Sequence, residues 1–440
     1  MNRKGIRMKS AFTMIVSTAL LNVFAAVPTV SNVSMTQATT SRDVTISYEL
    51  SDGPAVVTVD IQTNVADGVW ASIGEENFTT MTGDVNAYVT NSSCMITWDA
   101  RADWPDHRIS GGSVRAVVTA WALDDTPDYM VVDLANSSAQ RVAYYVSANA
   151  LPGGLHGNSA YRTSKVVMRR IRAKGQSFTM GAVMEPGVYV REKSHTATLT
   201  NDFYMGVFEL TQSQWWQVYT DTAVSAKCTV EGAQRPMEFV TYYRIREAAN
   251  NSPNSNYHWP APPHGSSFLG LCRTRTICDE FPAGVDFDLP GQAQWEYACR
   301  AGQGEGYWNT GAPITDKDSD PAMPGRFKGN QATPGNTSYD SMGPSNCTAI
   351  VGSYAPNAWG LYDMHGNVWE YCLDWYTTDS SVIGALCGGV NTTVGTQRVR
   401  CGGSWYNIPG DSRSSMFLGQ DPNSGVAYVG LRLCCRAGLR

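Results

Sequence analysis

The 440-residue chain is most informative at first in what it lacks. It has no Cys-x-x-Cys pair and no His-Glu-x-x-His run, which removes the commonest zinc-ribbon and metalloprotease sites. Its six histidines (His107, His156, His195, His258, His264 and His365) are scattered, and none forms a close helical pair. Charged residues make up only 16%, the formal net charge is −6, and no basic cluster occurs, so nucleic acid is not expected as a partner. Long apolar runs are missing beyond the first 25 residues, which argues against membrane insertion of the remaining chain. Long helical patterns are few as well. Between Cys401 and Cys434 there is no cysteine at all.

Other features are present in excess. Arg3, Lys4, Arg7 and Lys9 precede the short apolar stretch Ala11–Phe24, and Ala25 closes a run of small residues. This is the pattern of a secretory signal over residues 1–25, so export to the periplasm, cell surface or medium is expected. Its removal takes the net charge from −6 to about −10. Eleven cysteines follow, none in the signal region. Export permits disulfides, and an odd count leaves at least one thiol unpaired within the chain.

Residues 26–135 read as an all-β sandwich. Asp43–Leu50 and Ala55–Asn64 alternate at period two, with Val57, Val59 and Ile61 on one face and turn residues Ser51–Pro54 between them. Cys94–Arg101 and Ser113–Leu123 continue the pattern, which resembles fibronectin or immunoglobulin modules in architecture only. Residues 136–170, rich in Ser, Ala, Asn and Gly, read as a linker. The second domain, 171–440, has two clear helices. Thr211–Tyr219 opens on a T-x-x-Q capping box, and Leu289–Gly302 places Trp295, Ala298 and Cys299 on one face with Gly302 as its stop. Residues 303–350 read as one long loop region, and a loop of that length in an ordered domain needs a metal or a covalent tie.

Five motifs are spread through the second domain in order: Phe178–Gly181 (FTMG), His195–Trp215, Phe287–Gly302 (FDLPGQAQWEYACRAG), Pro356–Tyr376 (PNAWGLYDMHGNVWEYCLDWY), and RVRCGGSWYN with VGLRL at Val429–Leu433. Together they resemble the formylglycine-generating enzyme, or sulfatase-modifying factor, family. The resemblance implies an α+β, C-type-lectin-like domain with little regular structure behind the sandwich. Gly291 and Gln292 depart from the family's Thr-Glu, so a weaker helix cap is expected there.

Within Tyr362–Glu370 two hard oxygen donors, Asp363 and Glu370, flank Gly366, whose freedom permits a sharp turn that aims carbonyls inward. The resemblance implies calcium held by the Asp363 and Glu370 side chains and the Gly366 and Val368 carbonyls. It implies a second site in the preceding loop at Asn330, with Asp340 as a further candidate. His365 is expected to be an exposed turn residue. Trp359, Trp369, Trp375 and Trp405 are expected to fill core.

Active members of the family hold copper(I) with a cysteine pair just after the GGS strand, since soft thiolates suit that ion. Here Tyr406, Asn407 and Ser412 stand in that segment, Cys401 is single, and the adjacent Cys434 and Cys435 are awkwardly placed for chelating one ion. Copper and formylglycine generation are therefore not expected, and no catalytic residue is assigned. Two thiols converging beneath the substrate groove, from whichever positions in the chain, would overturn that reading. Trp405, Tyr406, Asn407, Asp411, Arg413 and Tyr428 are typical contact residues, so the Trp405–Tyr428 loop is expected to bind a protein or carbohydrate ligand. Two alternatives remain: another protein-modifying oxidoreductase, and a variable protein of a diversity-generating retroelement.

Overall fold

The computed structural model describes residues 27–437 except 108–111, 136–140, 183–188, 221–224, 230–231, 249–252, 279–280, 283, 305–324, 331–345, 380 and 383–388. The expected signal segment 1–25 and Asp340 lie outside the described residues. Among the described residues no helix is long and apolar enough to cross a membrane.

The N-terminal region is a two-sheet sandwich. Its strands are β1 (Thr29–Gln37), β2 (Val44–Ser51), β3 (Ala55–Ala66), β4 (Val69–Ser72), β5 (Thr82–Gly83), β6 (Ala87–Val89), β7 (Ser93–Trp98) and β8 (Val114–Trp121). One sheet has the order β1-β2-β7-β5; the other has β4-β3-β6, with β8 also paired to β3. The alternation read in the sequence is the alternation of burial. Val44, Ile46, Tyr48 and Leu50 of β2 and Cys94, Ile96 and Trp98 of β7 point into one core with Val57 and Ile61 of β3. Beyond β7, where a strand was expected to run to Arg101, the chain turns into the short helix α1 (Ala100–Asp103), because the Asp99 carboxylate caps the amides of Arg101 and Ala102.

The sandwich ends earlier than its composition predicts. Strands β9 (Tyr129–Asp133) and β10 (Val142–Tyr145) do not join it; they form one sheet with β11 (Lys165–Ile171), β14 (Phe203–Gly206) and β19 (Cys434–Arg436), in the order β10-β9-β11-β14-β19. Part of the expected linker is thus sheet, and the reason is two-sided burial. In β9, Met130 and Val132 pack into one core while Tyr129 and Val131 pack into another, so the strand needs cover on both faces. The same sheet gathers β14, from early in the domain, next to β19 at its end.

The remaining strands are short: β12 (Ser177–Met180) pairs with β13 (His195–Thr198), and β15 (Trp369–Trp375), β16 (Arg398–Cys401), β17 (Phe417–Gln420) and β18 (Val429–Gly430) form a sheet of order β17-β16-β15-β18. The helices are α2 (Gln212–Val218), α3 (Phe268–Arg275) and α4 (Gln292–Arg300). Thr211 and Gln214 make the expected capping box on α2. At α4 the missing Thr-Glu is offset from afar. The Gln294 side chain accepts from the Gly291 amide at 2.9 Å, and Asp374 of β15 accepts from the Gln292 amide at 2.7 Å. Trp295, Ala298 and Cys299 are fully buried, as their spacing predicts, and Ala301 at φ 46° and Gly302 at φ 85° stop the helix.

Candidate functional site

The turn 362–370 is built by three left-handed residues, Asp363 (φ 57°), Gly366 (φ 89°) and Asn367 (φ 60°). A side chain at Gly366 would meet the Arg326 carbonyl at 2.5 Å and the Phe327 ring at 2.7 Å, so only glycine fits this approach. The turn delivers Glu370 to the start of β15, completely buried. There Glu370 accepts from the Trp295 indole N–H at 2.7 Å and from Arg432, whose Nη2 is 2.6 Å from Oε1. Arg432 also donates to the carbonyls of Gly206, Val207 and Tyr362. Glu209, equally buried, accepts from the Val368 amide at 3.0 Å and the Asn367 side chain at 2.6 Å. Asp363 accepts from the Gly352 amide through Oδ2, while its Oδ1 is buried without a hydrogen-bond partner among the described residues.

Three buried carboxylates therefore share one guanidinium. Burial pushes Asp363 up to about 6, and burial together with the charges of Asp363 and Glu370 pushes Glu209 well above the usual carboxylate range. A divalent cation at Asp363 Oδ1 would relieve both the unpartnered oxygen and the charge imbalance. The expected donor set fits calcium in part. Asp363 has the free oxygen, and the Gly366 and Val368 carbonyls belong to the same turn. Glu370 has to share its oxygens with Arg432. Asn330 does not fit as a side-chain ligand: its Oδ1 accepts from the Phe327 amide at 2.8 Å and its Nδ2 donates to the Gly325 carbonyl, so it braces its own loop. Among the described residues no group of three or more His, Cys, Asp or Glu side chains converges in metal-ligand geometry, so any shell here relies on carbonyls.

His365 is buried, contrary to the exposed turn residue expected. The turn folds it beneath the Gly325–Phe327 segment, where its Nδ1 is 2.7 Å from the Ser412 carbonyl and its Nε2 is 3.7 Å from Cys299 Sγ. Burial lowers the imidazole to about 4 and pushes the Cys299 thiol well up. The proton therefore stays on sulfur, and the pair is not an activated nucleophile. Ser404 donates to Asn407 and is a structural hydroxyl.

The six residues expected to contact a ligand separate into two groups. Trp405 is fully buried and donates its indole N–H to the Ala427 carbonyl at 2.9 Å; it holds the loop and touches no outside ligand. Of its two expected roles, core filling and ligand contact, the structure gives it the first. Asn407 is also committed inward: its Oδ1 accepts from the Trp369 indole and from Ser404, and its Nδ2 donates to Asp411. Arg413 reaches back to the buried Glu192 at 3.3 Å. Tyr406 and Tyr428 remain half-buried and stack with ring centroids 5.2 Å apart at 18°. Arg400, which the sequence did not single out, stands beside them. It lies 5.4 Å from the Tyr428 ring and 5.0 Å from the Trp369 ring, and Nη1 donates to Gln420. The Cα register Arg400–Tyr371 across β16 and β15 puts it there.

Two pairs of thiols also converge. Cys372 and Cys401, on β15 and β16, have sulfurs 3.9 Å apart in a core where both are essentially unexposed. Cys401 is thus not single, as its sequence neighbourhood implied. Cys228 and Cys347 share a hydrogen bond between their thiols and pack in one cluster with Trp405 and Ala427.

The model of the sulfatase-modifying factor enzyme 1-like domain matches residues 159–437. This chain belongs to that family. The sulfatase-modifying factor domain so defined begins in the stretch expected to be a linker, in agreement with the sheet that β11 joins. The chain is 32% identical to the formylglycine-generating enzyme of Mus musculus over 67% of its own length and 81% of that protein. It is 27% identical to the chaperone protein LppX of Paenibacillus barcinonensis over 51% of its length and 78% of the relative. Among solved structures, PvdO from Pseudomonas aeruginosa aligns with a TM-score of 0.43 at 19% identity, covering 61% of this chain and 94% of that one.

In this family member the segment from Ser404 to Leu433 carries no thiol. The Cys372–Cys401 pair bridges two paired strands and is buried, and burial raises both thiols. The Cys228–Cys347 pair packs in one cluster with Trp405, against which the half-buried Tyr406 and Tyr428 also pack.

Proposed function

We propose that this chain is an exported, non-catalytic member of the sulfatase-modifying factor family that binds a protein or carbohydrate partner through the surface around Tyr406, Tyr428 and Arg400, on a scaffold stiffened by calcium at the Asp363 turn. The observation that carries the reading is the Tyr406–Tyr428 stack, presented half-buried above the fully buried Trp405. Rings already held in one orientation lose little freedom on binding, and a guanidinium beside them adds a directional donor. Trp405 and Asn407 serve by fixing the loop from within, and Asp411 and Arg413 by bracing it.

The test is binding of the full chain to immobilised glycan and peptide panels, with Tyr406→Ala/Tyr428→Ala as the comparison. Aromatic anchors of this kind are each worth about 2 kcal/mol, so a loss of affinity of about 30-fold or more is expected without a change in thermal midpoint. Equal retention by wild type and variant removes the surface from consideration. A second reading, a protein-modifying oxidoreductase, is favoured by the convergence of Cys228 and Cys347. Oxygen uptake with a cysteine-containing peptide after copper(I) reconstitution, and its loss in Cys347→Ser, would establish that reading instead.

A further inference from the structure

The two thiol pairs are chemically unlike. Cys372 and Cys401 sit among apolar side chains, and burial opposes ionisation of either. Around Cys228 and Cys347 the surroundings are polar. Arg235 Nη1 points at Cys347 Sγ from 3.6 Å. The Cys228 amide donates to Glu238 at 2.8 Å, and the Cys228 carbonyl accepts from Gln212 at 2.9 Å. The Cys347 carbonyl accepts from Arg326 at 3.0 Å. Both backbones are thus pinned in place, and the thiols already share a hydrogen bond.

The pair also sits where the fold needs a tie. Cys228 follows α2, and Cys347 ends the long loop region that begins after α4. The two segments run together, with the Val351 amide donating to the Gln234 carbonyl at 3.0 Å. The second segment then supports the candidate calcium turn: the Ala349 amide donates to Asn367, and the Gly352 amide to Asp363. Trp405 packs with the two thiols in one buried cluster.

We propose that Cys228 and Cys347 form a disulfide that ties the segment after α2 to the segment carrying Cys347, with Cys347 as the attacking sulfur. The guanidinium of Arg235 and the hydrogen bond from Cys228 favour the Cys347 thiolate, which is drawn down to about 6. Cys347 attacks one sulfur of an external disulfide, such as glutathione disulfide, and expels one thiolate. Cys228 then gives up its proton, and its sulfur attacks Cys347 Sγ and expels the second thiolate. Two protein thiols lose two protons and two electrons, and the external disulfide is reduced to two thiols. Both cysteines are only 1% exposed in the folded chain, so the bond forms while the segments dock and before the core closes around them. Once closed, it is shielded from reductants.

The proposal rests on export only for its oxidant. The experiment supplies that oxidant directly, so a failure of export and a failure of the pairing are distinguishable. The full chain is unfolded under reducing conditions, refolded in a glutathione/glutathione disulfide buffer, alkylated, and digested without reduction. The expected result is a linked peptide containing Cys228 and Cys347, with Cys372 and Cys401 carrying the alkyl group. Cys228→Ser should remove the linked peptide and lower the thermal midpoint by about 5–10 °C, whereas Cys401→Ser leaves the link intact. Arg235→Gln should slow formation of the link about tenfold, and Arg235→Lys should restore most of the rate. Alkylation of both Cys228 and Cys347 in refolded wild-type protein overturns the proposal, as does a link joining Cys372 to Cys401. Because the decisive readout is on wild-type chain, a variant that fails to refold does not rescue it.

Discussion

The sandwich and the sulfatase-modifying factor domain solve the same problem of burying backbone by different means. In the sandwich the strands reach 12 residues, and the amides and carbonyls satisfy one another along ladders such as the eight-residue β3–β8 register. Its core is apolar, and among the described residues no ion pair lies within it. In the second domain helices run to nine residues and strands to seven, too short to satisfy the buried backbone between them. Charged and amide side chains take over. Arg432 serves three carbonyls, Asp374 accepts from the amides of Gln292 and Asn391, and Asn357 bridges the end of α4 to the 357–361 turn. Four ion pairs in its core, Arg432–Glu370, Arg398–Glu247, Arg246–Asp288 and Arg300–Glu296, are almost fully buried among the described residues. Polar residues act here as the frame, where in the sandwich the ladder does.

The contrast can be broken most directly at Arg432. Arg432→Met leaves Glu370 buried beside Glu209 and Asp363 with no cation, and should cost about 3–5 kcal/mol, read by denaturant unfolding of the second domain. The sandwich matches that only through packing: Trp98→Ala, at a fully buried site, should cost about 3–5 kcal/mol by leaving a cavity. A cost below about 1 kcal/mol for Arg432→Met would show that the side-chain frame is dispensable.

Calcium tests the same frame at Asp363. At a calcium concentration a hundredfold above the dissociation constant, the second domain should gain about 2.7 kcal/mol, lost on chelation and absent in Asp363→Asn, while the sandwich is unaffected. Differential scanning calorimetry of the full chain separates the two transitions.

Acidity sharpens the comparison further. Burial raises Asp374 from 3.8 to about 6 and Glu238 from 4.5 to about 8. Each folded value lies above its unfolded one, so the folded chain keeps protons that the unfolded chain has released. Their contribution is complete below about 4 and is lost as pH rises through about 6 for Asp374 and about 8 for Glu238. The second domain should therefore melt at a higher temperature at pH 5 than at pH 8.5, and Glu238→Gln should flatten the upper part of that slope. The smallest effect is expected on the sandwich surface. Arg115 bonds the Gln62 side chain and lies 4.5 Å over the Trp70 ring, yet Arg115→Ala should cost under about 1 kcal/mol, because water replaces its contacts.

Legibility followed the same division. Period-two alternation gave β2, β3, β7 and β8 to within a few residues; in β2 and β7 one face is dry and the other largely wet, while β3 begins buried on both faces. The capping box at Thr211 and the apolar face of α4 were equally readable, because both are local. The end of the sandwich was misread at β9, where both faces are dry and alternation vanishes. At the candidate site the motif around Asp363 and Glu370 was visible, but Glu209 and Arg432 were not, although they decide its charge. They lie 154 residues before and 69 residues after Asp363 in the chain, and nothing local marks either as its neighbour.

The sequence alone determined the two-part organisation, the family of the second domain, and the absence of cysteine between Cys401 and Cys434, because each rests on local patterning or on ordered motifs. Only the tertiary structure decided which of the expected contact residues face outward, that His365 is buried, and that Cys228 meets Cys347 and Cys372 meets Cys401. Those outcomes depend on which distant segments share a core. In a domain framed by buried side chains, such contacts join residues far apart along the chain, and no spacing encodes them.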